Sequence, residues 1–162
     1  MNIIAKRGLN MGIENDISQQ VFRNDYQKAV INFIYTWHWV NEKMRSMFEK
    51  EGITSQQYNI LRILRGAAKP ISTLQIRQRM MDKMSDTSRL VDRLLSKELV
   101  KKNICPADKR LVDISITEKG KKLLEKMDEY DDELDALFAN LNETETRQLN
   151  KLLDKIRSTP ND

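Results

Sequence analysis

Between Thr54 and Thr117 the apolar residues recur first at helical spacing and then at strand spacing, and the change of period marks out the elements. Thr54 and Gln57 have the spacing of a capping box, and Tyr58, Leu61 and Leu64 then form one helical face that runs up to Gly66. Ser72 and Gln75 repeat the capping signal and open a second helix, with an apolar side expected from Leu74, Ile76 and Met80. The Met81–Met84 segment breaks that pattern, and Ser85 is placed to cap a third helix. There Thr87, Leu90, Val91, Leu94 and Leu95 fall at i, i+3, i+4, i+7 and i+8, a stripe suited to burial. The opposite side is polar, with Asp86, Ser88, Arg89, Asp92 and Arg93. Beyond Glu98 the period shortens to two: Leu111, Asp113 and Ser115 are expected on one face of a strand and Val112, Ile114 and Ile116 on the other. Cys105 to Arg110 reads as the turn between two strands, with Lys109 and Arg110 at its end. Helix, turn, helix and basic two-stranded hairpin together predict a winged helix-turn-helix, whose second helix suits the major groove of DNA.

Longer helices flank this segment. From about Phe22 to Lys50, Tyr26, Val30, Phe33, Trp37, Val40, Met44 and Met47 recur at threes and fours, and Ala29, Ile34 and Phe48 widen the stripe. Gly52 is the expected stop. Thr117 can cap one long helix with the stripe Leu123, Leu124, Met127, Tyr130, Leu134, Leu137 and Phe138. Asn142 and Glu145 open a last helix with Leu149, Leu152, Leu153 and Ile156 in core positions. The flanking helices carry more apolar surface than one short winged domain can cover, and intertwining two subunits would bury it. The predicted class is therefore mainly α (α+β). Residues 1–21 are expected to be a flexible tail leading into the first helix, with Met11 a second candidate start. Residues 22–50 and 118–158 are expected to form a helical dimerisation region, and 53–117 the winged helix-turn-helix.

Charge sharpens the picture. The net charge of +4 is modest, but from Arg62 to Arg110 thirteen cations face five anions, whereas from Leu123 to Asp154 ten anions face three cations. One part of the chain is suited to phosphate and the other avoids it. Composition excludes several alternatives. One cysteine rules out a disulfide framework and a cysteine-based zinc cluster, and one histidine rules out the usual His-rich metal sites. No nucleophile elbow or phosphate loop is present, so neither an enzyme nor a cofactor is expected. With no signal-peptide core and no apolar run of membrane length, a cytoplasmic location without membrane contact is expected.

The run SDTSRLVDRLLSKELVKK followed by PADKRLVDISITEKGKKLL resembles the MarR family of bacterial transcription regulators. Two features carry the resemblance: the pattern Ser85-x-x-Ser88-Arg89-Leu90-Val91-Asp92-Arg93-Leu94, and Asp108-Lys109-Arg110 followed at the family's spacing by Thr117-Glu118-Lys119-Gly120. It extends from about Phe22 to Ser158 and implies an obligate homodimer that binds a palindromic operator in double-stranded DNA. It further implies that Asp108 supports Arg110 in a wing that reaches the minor groove. A small, often phenolic, effector would bind between the dimerisation helices and the winged domain.

The residues expected to meet DNA are Ser85, Asp86, Thr87, Ser88, Arg89 and Arg93 on the recognition helix, Arg77 and Lys83 beside it, and Lys109 and Arg110 on the wing. Thr87 has a phase that also suits the core. Trp37, His38, Trp39 and Tyr58 are candidates for an effector pocket, with core and interface packing as the other reading. Cys105, near Lys101 and Lys102, is a candidate redox thiol, although the family's peroxide sensors use a cysteine near the start of the first helix and none stands here. The reading favoured by these residues is a ligand-responsive repressor. A redox regulator acting through Cys105, and a winged-helix adaptor that binds protein in place of DNA, stay open.

Overall fold

The computed structural model describes residues 12–104 and 112–158. The chain divides by packing into two units, residues 1–43 and 44–162. In the first, a short helix α1 (Ile13–Asp16) stands where a tail was expected; Ile13 is buried and Glu14 pairs with Lys28. Helix α2 (Asp25–Lys50) starts three residues after Phe22, because the Asn24 side chain accepts the Gln27 N–H at 3.0 Å and so caps it there. Tyr26, Val30, Phe33, Ile34 and Trp37 are exposed along it. Of the expected stripe on this helix, only Met47 and Phe48, in its last turns, are fully buried.

The second unit holds the core. Helix α2 ends in a Schellman turn: Ile53 N–H reaches the Phe48 carbonyl, Gly52 N–H reaches that of Glu49, and Gly52 takes φ 66°. Helix α3 (Ser55–Gly66) follows, with the Thr54–Gln57 capping box formed in both directions. Helix α4 (Thr73–Arg79) starts on the Ser72–Gln75 box, helix α5 (Thr87–Ser96) follows the turn, and strands β2 (Val100–Ile104) and β3 (Val112–Ile116) make the wing. Ile60, Leu61, Ile76, Met80, Val91, Leu94, Ile114 and Leu124 meet in one buried cluster. Their burial at helical spacing on α3, α4 and α5 fixes the faces these helices turn inward.

Several expectations are corrected. The hairpin is part of a three-stranded sheet of order β1-β3-β2, because Ile71–Ser72 (β1) pairs antiparallel with β3, Ile71 opposite Ile114. Two residues are too short to show a period, so this strand left no mark in the sequence. Leu74 is 64% exposed, lying well around α4 from the buried Ile76 and Met80. The long helix after the wing is divided into α6 (Glu118–Asp128) and α7 (Asp131–Ala136). At the break, Glu129 and Tyr130 form i→i−3 hydrogen bonds, and Tyr130 Oη donates to Glu51 Oε1 at 3.3 Å. Asp131, Asp132 and Glu133 then favour a new helix start through the N-terminal dipole. Helix α8 (Glu143–Arg157) begins on the expected Asn142–Glu145 box, yet buries no residue fully.

Helix α6 packs into the winged core through Leu124 and Met127, so the core runs on past residue 117. A two-pronged ion pair ties it to α3: Arg65 Nη1 and Nη2 donate to Asp128 at 2.7 and 3.1 Å. The hydrogen-bonded guanidinium holds the Asp128 carboxyl below the ordinary carboxylate range. Among the described residues no helix is long and apolar enough to cross a membrane.

At the junction of wing and α6 two stretches of backbone approach closely. Glu98 takes φ 60°, and the Leu99 N–H returns to the Leu94 carbonyl, which turns the chain out of α5 and into β2. Thr117 N–H donates to the Leu99 carbonyl at 3.1 Å, its hydroxyl donates to the Glu98 carbonyl at 2.8 Å, and its Oγ1 accepts the Gly120 N–H at 3.1 Å. Gly120 is buried against this strand: a Cβ there would collide with the Leu99 carbonyl oxygen and sit 2.8 Å from Ile116 Cγ1. Gly120→Ala is therefore expected to lower stability by roughly 1–3 kcal/mol, the range for overpacking a close-packed site. Urea unfolding should show the loss as a lower midpoint at unchanged slope; a wild-type midpoint would contradict the packing.

Candidate nucleic-acid interface

Helix α5 buries Thr87, Val91 and Leu94 and leaves Ser88, Arg89, Asp92 and Arg93 exposed, so one polar face looks outward from the core. The turn before it is tightly built. The Asp82 carboxylate accepts the Met84 N–H at 3.0 Å and the Ser85 hydroxyl at 2.6 Å, and these bonds hold its pKa below the ordinary value. Asn59 Oδ1 accepts the Met81 N–H at 3.0 Å, which anchors the turn to α3. The helix cap is Asp86, accepting the Arg89 N–H at 3.1 Å, and not Ser85, whose hydroxyl is drawn to Asp82.

These placements sort the recognition-helix candidates. Thr87 is 4% exposed, with its hydroxyl directed to the Ser85 carbonyl, so the expectation that it meets DNA is corrected: it is a core residue. Asp86 has its carboxylate committed to the cap. Ser88, Arg89 and Arg93 stand on the open face, Ser85 is half-buried beside it, and Arg77 and Lys83 are exposed on α4 and the turn. Lys83 Nζ donates to the Gln78 carbonyl. Lys109, Arg110, Asp108 and Cys105 lie outside the described residues.

The cations of this segment divide into two sets. Arg65 is paired with Asp128, Lys97 donates to the Gly52 carbonyl, Lys102 lies 3.7 Å from Asp92, and the Arg62 guanidinium sits 5.8 Å from the Tyr58 ring centre. By contrast, Arg77, Arg79, Arg89 and Arg93 form no ion pair among the described residues. A recess of about 250 Å³ lies between the starts of α3 and α5, lined by Thr54, Gln56, Ser85, Asp86, Arg89, Leu90 and Arg93. Thr54 and Gln56 were missed as part of this surface, because the sequence marked them only as the cap of a bracing helix. Unpaired guanidinium groups beside helix N-termini can accept an anion of phosphate type.

The aromatic candidates are placed differently. Trp37 and His38 are exposed on α2, in edge contact at 4.9 Å, and Trp39 is half-buried. Tyr58 is buried against Phe48, ring centres 5.0 Å apart. A separate recess of about 340 Å³ is lined by Glu51, Gly52, Ile53, Lys97, Leu99, Lys119 and Leu123, none of them among the four.

A three-helix core with an antiparallel wing, and a capped, outward-facing second helix, define a winged helix-turn-helix domain. Residues 53–112 match the model of the MarR family. The chain is 26% identical over 119 residues to the HTH-type transcriptional regulator MhqR of Bacillus subtilis strain 168, covering 72% of this chain and 81% of that protein. Among solved structures it is similar to a cysteine-to-serine mutant of MarR from E. coli complexed with operator DNA: 27% identity, TM-score 0.66, 80% of this chain and 96% of that one. A MarR transcription factor from Planctomyces limnophilus gives 29% identity and a TM-score of 0.64, over 83% of this chain and 98% of that one. Residues 53–112 thus carry a MarR-family domain, and the chain as a whole is similar to MarR-type winged helix-turn-helix transcription regulators.

The cap of α5 can be tested by itself. Asp86→Ala is expected to cost about 1 kcal/mol, the usual value of an N-cap side chain. Amide exchange should quicken first at Ser88 and Arg89, in the first turn of α5. Unchanged exchange there would mean that the cap does not hold the helix start.

Proposed function

We propose that this regulator binds a palindromic operator in double-stranded DNA as a homodimer and represses transcription from it. The observation that carries the reading is the face of α5, where Ser88, Arg89 and Arg93 stand exposed, without an ion pair among the described residues, beside the N-terminal recess of α3. The similar MarR from E. coli was solved with operator DNA on it. In this reading α5 enters the major groove, with Arg77 and Lys83 on flanking phosphates. Lys109 and Arg110, supported by Asp108, take the wing toward the minor groove. Two such helices on a twofold axis read two half-sites about one helical turn apart. The protein then works in the cytoplasm, on the chromosome.

Support for the dimer comes from large apolar side chains left uncovered in one subunit. On α2 these are Tyr26, Val30, Phe33 and Trp37, and on α8 they are Leu152 and Ile156. Exposed apolar surface on this scale marks an interface. The regions proposed are those expected from the sequence, 22–50 and 118–158 for dimerisation and 53–117 for DNA, with α6 also closing the winged core through Leu124 and Met127. A small aromatic effector, binding near Trp37, His38, Trp39 and Tyr58 and releasing the operator, completes the proposal; its support is the family resemblance and the aromatic character of those residues.

Leu152→Asp should yield monomers or aggregates, because a charge would enter the apolar contact at a penalty of several kcal/mol, in order of magnitude. Multi-angle light scattering of wild type and variant reads this directly; a wild-type monomer at micromolar concentration would contradict the dimer.

DNA binding is tested by selecting fragments from the native genome and titrating the winner. A dimer that neutralises roughly 6–10 phosphates should lose about 10³–10⁵ in affinity between 50 and 200 mM salt. Arg89→Ala should weaken binding by roughly 1–3 kcal/mol per subunit, and Arg147→Ala, on the acidic part of the chain, hardly at all. Equal affinities for Arg89→Ala and wild type would remove α5 from the interface.

A further inference from the structure

Two of the most exposed large apolar residues lie in the turn of the helix-turn-helix. Met81 is 87% exposed and Met84 is 93% exposed. Neither position is loose. Met80, just before them, is buried in the core at 1% and Thr87, just after, at 4%. Between these anchors the Met81 N–H is held by Asn59 and the Met84 N–H by the Asp82 carboxylate, both at 3.0 Å. The backbone is pinned, and both thioether side chains are left outside the core. The surrounding surface is polar and cationic, with Arg77, Arg79, Lys83, Arg89 and Arg93 all exposed. An apolar pair in such a setting contributes nothing to the core and works against solubility, so its use lies in what covers it.

The cations select an anionic partner, and the methionines require that this partner also offer apolar atoms. Duplex DNA meets both conditions in the major groove, where phosphates line the edges and the C5-methyl group of thymine projects from the floor. Met84 stands two residues before the Asp86 cap, at the end of α5 from which a recognition helix reaches base edges. A thioether is unbranched and polarisable, so it can follow a methyl group without a fixed hydrogen-bond geometry. We infer that Met84, with Met81 beside it, reads thymine methyl groups at one edge of each half-site, and so sets sequence preference where the arginines supply affinity. This rests on the proposed DNA-binding function and adds to it a class of base contact that hydrogen-bonding side chains do not make.

The test replaces thymines of the selected operator one at a time by deoxyuridine, which removes only the C5-methyl group. Each duplex is titrated with wild type, Met84→Ala, Met84→Leu and Met81→Ala. At one or two thymines in each half-site, wild type should lose roughly fourfold in affinity, the scale of one buried methyl group. Met84→Ala should lose a similar factor on the natural operator and be indifferent to deoxyuridine at that position, whereas Met84→Leu should keep most of the discrimination. Salt dependence should be the same for all four proteins, since no phosphate contact is altered. If Met84→Ala and Met81→Ala bind the natural operator as tightly as wild type, the inference is wrong while the proposed function stands. It is equally wrong if their losses are the same on thymine and deoxyuridine. If wild type selects and binds no fragment, the proposed function itself fails, and this inference with it.

Discussion

The fold turns on the approach of Gly120 to the Leu99 carbonyl, because three parts of the winged domain meet there. Helix α5 ends at that point, strand β2 begins, and β3 passes through Thr117 into α6. Thr117 holds the arrangement with its backbone N–H and both roles of its hydroxyl, and Gly120 permits it by having no side chain. Lys119 adds a 3.1 Å ion pair to Glu98, on a surface where such a pair contributes little. The recognition helix is thus fixed at its C-terminal end by backbone packing and at its start by the Asp86 cap. A helix held at both ends presents its outer face with little freedom, which suits docking into a groove of set width.

The distribution of charge follows from the same packing. A run of cations in a sequence does not say which are free. Arg65 is spent on Asp128, Lys97 on the Gly52 carbonyl at the end of α2, and Lys102 is near Asp92. Arg65 and Lys97 thereby link elements distant in sequence, α3 to α6 and the end of α5 to the end of α2. Arg77, Arg79, Arg89 and Arg93 form no ion pair among the described residues, and they lie on α4 and α5, around the turn that carries Met81 and Met84. Long-range attraction to phosphate needs only the total charge, whereas register on a particular sequence needs groups that keep a fixed place.

Much of this was legible in the sequence because it is local. The three capping boxes, at Thr54, Ser72 and Asn142, each need only a side chain and a backbone amide three residues apart, and each formed. The stripe of Thr87, Val91 and Leu94 needs only the helical period, and the alternation around Ile114 only the strand period. The Thr117–Gly120 signature was visible as a pattern, but its reason, the Leu99 carbonyl, lies some twenty residues away.

What tertiary structure decided was whatever depends on a distant partner. Strand β1 exists because β3 offers it an edge, and two residues carry no period of their own. Helices α6 and α7 separate because Tyr130 is drawn to Glu51, 79 residues away in sequence. Ser85 lost the cap of α5 to Asp86 because Asp82 takes its hydroxyl, a contest between neighbours that propensity ranks as equal. Leu74, Met81 and Met84 are exposed although their residue types favour the core, whereas their neighbours Ile76 and Met80 are buried in it among side chains of α3, α5 and β3. Periodicity and caps are written in neighbouring residues, and so sequence alone determined the elements and the faces of most helices. Which side chain wins a shared partner, and which is left over for the outside, depends on atoms brought together only by folding.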